Sequence, residues 1–137
     1  MFDAFDIAPG CLDFLGWSTT HFACRWLSAR CRAGWPEGVK RAFRSAGASL
    51  ADPKWDVLDL IHSASWKVNK TEAGDPTHDF WWVDDNPSQD DRDWLRRYDR
   101  FDRLIEASSD LDPTALHAAK LLLTNRAPAN PGLFRSS

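Results

Sequence analysis

The sequence lacks the features that mark several large classes of protein. No apolar run approaches the roughly 18 residues of a membrane-spanning helix, and no basic segment followed by an apolar one opens the chain as an export signal would. The net charge of −3 at pH 7 provides no basic field that would attract nucleic acid. Three cysteines are present without a CxxC pair. These absences favour a reduced, cytoplasmic protein that does not enter a membrane.

Several motifs of enzyme chemistry are missing as well. There is no Walker or GxGxxG loop, and no Ser-His-Asp arrangement can be argued from the order of residues. The four histidines are scattered and show no zinc-ligand spacing such as HxxxH. Basic residues and tryptophans between residues 25 and 44 could bind a phosphate-bearing ligand or a nucleotide end, but the net acidity favours a solvated helix face.

The most informative stretch that is present runs from Phe80 to Pro87. Four bulky residues, FWWV, lead directly into Asp84 and Asp85, and Asn-Pro then interrupts the run. A short, wholly apolar run of this kind predicts a strand buried on both faces of a parallel sheet. Two carboxylates at the end of such a strand suit a hard cation such as Mg²⁺. The alternative is an acidic loop in which Asp85 or Ser88 caps the next helix.

The whole chain has 137 residues, 43% of them hydrophobic, which predicts one domain with its own core. Alternating helices and short strands predict an α/β fold with a parallel sheet. The predicted helices cover residues 9–21, 36–46, 53–61, 71–74, 88–99 and 113–123. The predicted strands cover 22–27, 79–84 and 104–107, with an extended piece at 65–68, and 124–137 is predicted to be a loose tail.

The order of these features resembles the haloacid dehalogenase (HAD) superfamily of phosphatases and phosphotransferases. A strand ending at Ser28, then Lys70-Thr71, then FWWVDD at 80–85 follows the family's order of motifs, and WVDDNPSQDDRDWL at 82–95 is similar to bacterial HAD-family hydrolases. The resemblance covers about residues 9–123. It implies a Rossmann-like three-layer α/β/α sandwich over residues 1–123, without a cap domain, and Mg²⁺-dependent hydrolysis of phosphoryl esters.

The resemblance also implies a role for each matching residue. Asp84 and Asp85 would help to hold Mg²⁺, which offsets the charge of a phosphate beside carboxylates. Ser28 would donate a hydrogen bond to a phosphate oxygen, unless it is an ordinary turn serine. Lys70 would neutralise the phosphate and the acyl-phosphate intermediate, unless it is a solvated surface lysine. Lys67 is its rival, but Lys70 lies where a helix would begin, and a helix N-terminus favours anions.

One departure from the family pattern is large. The family's nucleophile is the first Asp of a DxD after an apolar first strand, whereas Asp3 and Asp6 here are spaced DxxD and only two residues precede Asp3. The first strand, which lies mid-sheet in the family, is therefore missing. Its slot is expected to be filled by residues 1–8, by another copy of the chain or by a partner's strand. We expect a phosphohydrolase-like domain that is inactive as written, or alternatively a non-catalytic scaffold that binds a protein partner or a phosphorylated ligand.

Overall fold

A computed structural model describes residues 7, 9–26, 37–63, 66, 68–108, 111–126 and 132–135. Several residues considered above, among them Asp3, Asp6, Ser28 and Lys67, lie outside the described residues, as do residues 65 and 67 of the extended piece predicted at 65–68. In the part that is described, helices and short strands alternate along the chain, and the predicted α/β class is confirmed. None of the described helices has the length and apolar character needed to cross a membrane.

Four α-helices lie close to their predicted positions. Their bounds are α1, Cys11–His21; α2, Glu37–Ser45; α3, Gln89–Arg97; and α4, Ala115–Arg126. α2 buries one apolar face, formed by Val39, Ala42 and Phe43. Gly47 follows α2 with φ +99°, a left-handed conformation in which glycine is favoured, and it ends the helix.

In the described part of the chain, three shorter helices are of the 3₁₀ type, at Pro53–Leu60, Lys70–Ala73 and Phe101–Arg103. The first is capped by Asp52, whose carboxylate accepts a hydrogen bond from the Lys54 backbone N–H at 3.1 Å. The second begins one residue before its predicted start and places Lys70 at its first position.

Five strands form one sheet in which every neighbouring pair is parallel. The strands are β1, Cys24–Trp26; β2, His62–Ser63; β3, Phe80–Asp84; β4, Leu104–Glu106; and β5, Gly132–Arg135. Their spatial order is β2-β1-β5-β3-β4. The carboxyl ends of all five strands therefore meet at the same edge of the sheet, the edge at which open α/β proteins usually bind ligands.

The C-terminal segment corrects two predictions. Residues 124–137 are not a loose tail throughout, because α4 continues to Arg126 and residues 132–135 form the central strand. β5 is in register with three residues of β1 and with four of β3. The middle of the sheet, which was expected to be filled by residues 1–8, by another copy or by a partner's strand, is occupied here by a later segment of the same chain.

The sheet carries apolar side chains on both faces at β3, all five residues of which are buried. Trp81 and Val83 belong to the larger core cluster, which includes residues of α1, α2 and α4. Phe80 and Trp82 point to the opposite face and pack with Leu95 of α3 in a smaller cluster. The period-2 alternation of a strand explains this division, and it also assigns Asp84 to the face of Trp82.

Candidate functional site

The candidate site lies at the carboxyl end of β3, where Asp84 is the last residue of the strand. The side chain of Asp84 is 0% exposed. The Lys70 ammonium group contacts its Oδ2 atom at 3.1 Å, across 14 residues of sequence. A carboxylate buried in this way without a partner would be strongly unfavourable, so the lysine is the contact that makes the burial tolerable.

Two further donors complete the surroundings of Asp84. The indole Nε1–H of Trp82 donates to Oδ2 at 3.2 Å, and the backbone N–H of Asn86 donates to Oδ1 at 2.9 Å. We call these groups, Lys70, Trp82, Asp84 and the Asn86 backbone, the lysine network. Trp82 was missed as a member, although its spacing of two residues from Asp84 on a strand places both side chains on one face.

The lysine network holds Asp84 in its ionised form. Burial by itself raises the pKa of Asp84 and is the largest single influence on it. The positive charge of Lys70 and the hydrogen bonds from Asn86, Trp82 and Lys70 act in the opposite direction and together prevail, so the pKa lies below its ordinary value. Asp84 is thus a permanent negative charge in neutral solution.

Local structure fixes the position of Lys70. The Glu72 carboxylate accepts hydrogen bonds from the backbone N–H groups of Val68 and Asn69, at 2.8 and 2.7 Å, which closes the start of the 3₁₀ helix. At the other end, Gly74 lies so close to Trp94 that an added Cβ would be 2.7 Å from the Cη2 atom of its ring. The absence of a side chain at Gly74 therefore allows the end of the short helix to pack closely against Trp94 of α3.

Asp85 has different surroundings although it is the next residue. It is exposed, and its pKa is raised, first by desolvation of its carboxyl group and then by the hydrogen bond to, and the charge of, the adjacent Asp84 carboxyl. It does not cap the following helix. That function belongs to Ser88, whose Oγ accepts from the Asp91 N–H at 3.1 Å while Asp91 Oδ2 accepts from the Ser88 N–H at 2.9 Å.

Asp85 lines a pocket of about 410 Å³ beyond the ends of β3 and β4, which we call the strand-end pocket. Its other walls are α4 and the segment before it, together with Arg92 of α3, which forms an ion pair with Glu106. Sequence patterns did not indicate this pocket, because its lining residues come from four separate segments of the chain. The polar lining residues are Asp85, Asn86, Arg92, Glu106, Ser108 and Asp112.

The remaining predicted residues are distributed as follows. Ser28 and Lys67 lie outside the described residues, so only the end of β1 at Trp26 can be located, at the same sheet edge as Asp84. His78, one of the four scattered histidines, precedes the acidic strand, is exposed and contacts Asp75 at 2.7 Å. Among the residues that the structure describes, no group of three or more His, Cys, Asp or Glu side chains is arranged to hold a metal ion.

Comparison with known proteins identified no relative of this chain. No protein-family model matches the chain. No curated protein and no solved structure matches it significantly.

Proposed function

We propose that this chain is a HAD-like domain that binds a phosphate group and Mg²⁺ at the carboxyl end of β3 and does not itself turn over a phosphate ester. The observation that carries the proposal is the contact between Lys70 and Asp84 at 3.1 Å. The two residues match separate motifs of the family, and they meet at the sheet edge where α/β proteins bind ligands.

The strand order supports the same proposal. In the HAD family the first strand lies mid-sheet, between the strand that precedes the phosphate-binding hydroxyl residue and the strand that precedes the acidic pair. Here β5 lies between β1 and β3, with Arg135 in register with Val83. If β5 stands for the first strand, the sheet is that of a Rossmann-like three-layer HAD sandwich with a changed chain connection.

The roles within the site follow from exposure and charge. Both oxygens of Asp84 already accept hydrogen bonds and its side chain is fully buried, so its first role is to orient Lys70. Lys70, with a side chain 23% exposed, can present part of its ammonium group to a phosphate oxygen. Ser28 would add a hydroxyl donor from the segment that follows β1.

The chemistry of the donors also fits a cation. Mg²⁺ binds proteins through one or two carboxylates and keeps several waters, so it does not need a cage of three protein ligands. Asp85 is an exposed carboxylate whose pKa is raised in part by the adjacent negative charge, and a cation there would relieve that repulsion. When bound, Mg²⁺ would offset the charge of a neighbouring phosphate. Asp84 would join it as a ligand only by releasing Lys70.

The test uses Trp82, because its indole N–H donates to Asp84. We expect millimolar Mg²⁺ to shift the ¹H–¹⁵N resonance of this indole saturably, and Asp85→Asn to abolish the shift. Asp90→Asn, which removes an exposed carboxylate in the first turn of α3, is the matched control and should change nothing. An unchanged Trp82 resonance, or an equal response from Asp85→Asn, would overturn the metal site.

Phosphate binding is tested separately. Inorganic phosphate added with Mg²⁺ should shift the same resonance further in the parent protein and not in Lys70→Met. We expect no turnover of an aryl phosphate, because Asp3 and Asp6 do not form the family's DxD motif. Mg²⁺-dependent turnover that disappears in Asp84→Asn would contradict the inactive assignment and direct attention to Asp3 or Asp6.

A further inference from the structure

The strand-end pocket combines an apolar wall with an excess of negative charge. The apolar lining consists of Ile105, Leu111, Ala115, Ala118, Ala119 and Leu122. A volume of about 410 Å³ is within the range of small-molecule sites. Leu111 is 89% exposed and Leu122 is 36% exposed, so apolar surface remains open to solvent at this pocket. A ligand with an apolar body would cover it.

The charged residues of the lining favour a cationic ligand. Among the lining residues that the structure describes, there are three carboxylates, those of Asp85, Glu106 and Asp112, and a single guanidinium group, that of Arg92. Because Arg92 is already paired with Glu106, its charge is not available to a ligand carboxylate. The partial positive charge at the start of α4, about half an elementary charge, reduces this excess and does not cancel it.

Asp112 is the carboxylate best placed to remain charged. Its Oδ1 atom accepts hydrogen bonds from the Thr114 N–H at 2.9 Å and from the Thr114 hydroxyl at 2.7 Å. These bonds lower the pKa of Asp112 and fix its orientation before α4. A polar anchor on a rigid turn beside an apolar wall is a common arrangement in small-molecule sites.

We propose that the strand-end pocket binds a small organic molecule that carries a protonated amine on an apolar or aromatic body. The ammonium group contacts the carboxylate of Asp112, since that of Glu106 is paired with Arg92, and the body lies against α4 between Leu111 and Leu122. This inference does not depend on the phosphate chemistry proposed above, because it uses neither Lys70 nor Asp84; it shares only Asp85 with the proposed cation site.

Three probes of similar size and different charge test the proposal: 2-phenylethylamine, 2-phenylethanol and 3-phenylpropanoate. Binding to the full chain, without added divalent cation, is followed through the methyl resonances of Ile105 and Leu122. We expect the amine to bind about fivefold more tightly than the alcohol at low salt, to weaken as salt is added, and the carboxylate to bind least. Equal affinities for amine and alcohol, or no binding by any probe, would overturn the proposal.

Two matched pairs of variants locate the site. Leu111→Lys adds a positive charge at an exposed lining position and should weaken binding of the amine without weakening binding of the alcohol. Leu121→Lys adds the same charge on α4 outside the lining, at a residue that is 50% exposed, and should affect neither. Ala118→Trp should block all three probes, whereas His117→Trp, at the preceding exposed position, should not. Equal effects within either pair would contradict binding in this pocket.

Discussion

Asp84 and Asp85 are neighbours in the chain, but the structure gives them opposite environments. Asp84 is buried, bonded by three donor groups and ionised, with a lowered pKa. Asp85 is exposed, lines the strand-end pocket and has a raised pKa. The difference shows that two adjacent acids at the end of a strand can differ in burial and in the direction of their pKa shifts even though their carboxyl groups interact.

The cause of the difference is the alternation of side chains along an extended strand. Asp84 follows Trp82 onto the face that α3 and the 3₁₀ helix Lys70–Ala73 cover, where a lysine is the available partner. Asp85 comes after the strand ends, where the neighbouring segments leave a pocket. One residue is therefore held in a buried ion pair with Lys70, while the next is open to the strand-end pocket.

Removal of β5 should have the largest effect on the environments of both aspartates, since the strand lies between β1 and β3 and supports the edge on which the aspartates lie. Deletion of residues 132–137 should abolish cooperative unfolding. The loss of the backbone hydrogen bonds to two strands, at about 1 kcal/mol each or more where a group is left unsatisfied, approaches the total stability of a small domain, about 5–15 kcal/mol. Circular dichroism during thermal unfolding is the measurement.

The control for this deletion removes only residues 136 and 137, which lie beyond the last residue of β5. That shorter deletion should unfold cooperatively, close to the parent. A cooperative transition in the 132–137 deletion, at the temperature of the parent, would mean that β5 contributes little and that the central position of this strand is wrong.

A smaller effect separates the two aspartates. Lys70→Met leaves Asp84 buried without its cation, and we expect a loss of about 3 kcal/mol in the free energy of unfolding at pH 7. In the parent, the pKa of Asp84 is lowered on folding, so its carboxylate stabilises the folded protein at pH values above the unfolded pKa, near 3.9. This stabilisation is lost as the pH falls through the folded pKa. In Lys70→Met, burial is the dominant influence and the pKa of Asp84 is raised. The loss in the free energy of unfolding relative to the parent should therefore shrink towards pH 3. Urea unfolding at several pH values tests this expectation.

Lys40→Met provides a close control for Lys70→Met. Lys40 contacts Asp59 at 2.7 Å, and its side chain is 24% exposed, nearly as for Lys70, but the Asp59 side chain is 63% exposed. If burial of the carboxylate sets the effect, Lys40→Met should cost less than about 1 kcal/mol in spite of its shorter contact. Equal losses in the two variants would show that the lysine network is an ordinary surface ion pair.

The difference between signals within one segment and contacts between distant segments explains how much of the fold and the site the sequence could predict. β3, α3 and the Lys70–Ala73 helix were foreseen because an apolar run, a capping serine and a Lys-Thr pair before a glycine are local signals. Lys70 was placed beside Asp84 through the order of the motifs and not through any local signal. β5 was missed because GLFR is only four residues long and follows a segment with two prolines, so its pairing with β1 and β3 is specified by distant partners. β2, with two residues, is shorter than any periodicity can reveal.

The smallest expected effect has the opposite sign and concerns Asp85. Because the folded pKa of Asp85 is raised above its unfolded value, ionisation is disfavoured in the folded state, and its contribution to stability is lost as the pH rises through the folded pKa. Without added divalent cation, Asp85→Asn should therefore stabilise the protein at pH 7, by less than about 0.5 kcal/mol because the residue is exposed, and the gain should vanish below about pH 4.

Asp84→Asn should instead destabilise the protein at pH 7, with a loss of stability that also vanishes at low pH. Urea unfolding of the two variants at pH 7 and pH 4 gives the comparison. Parallel changes in both would mean that the two carboxylates share one environment, and the division between an orienting aspartate and a ligand-facing aspartate would then be wrong.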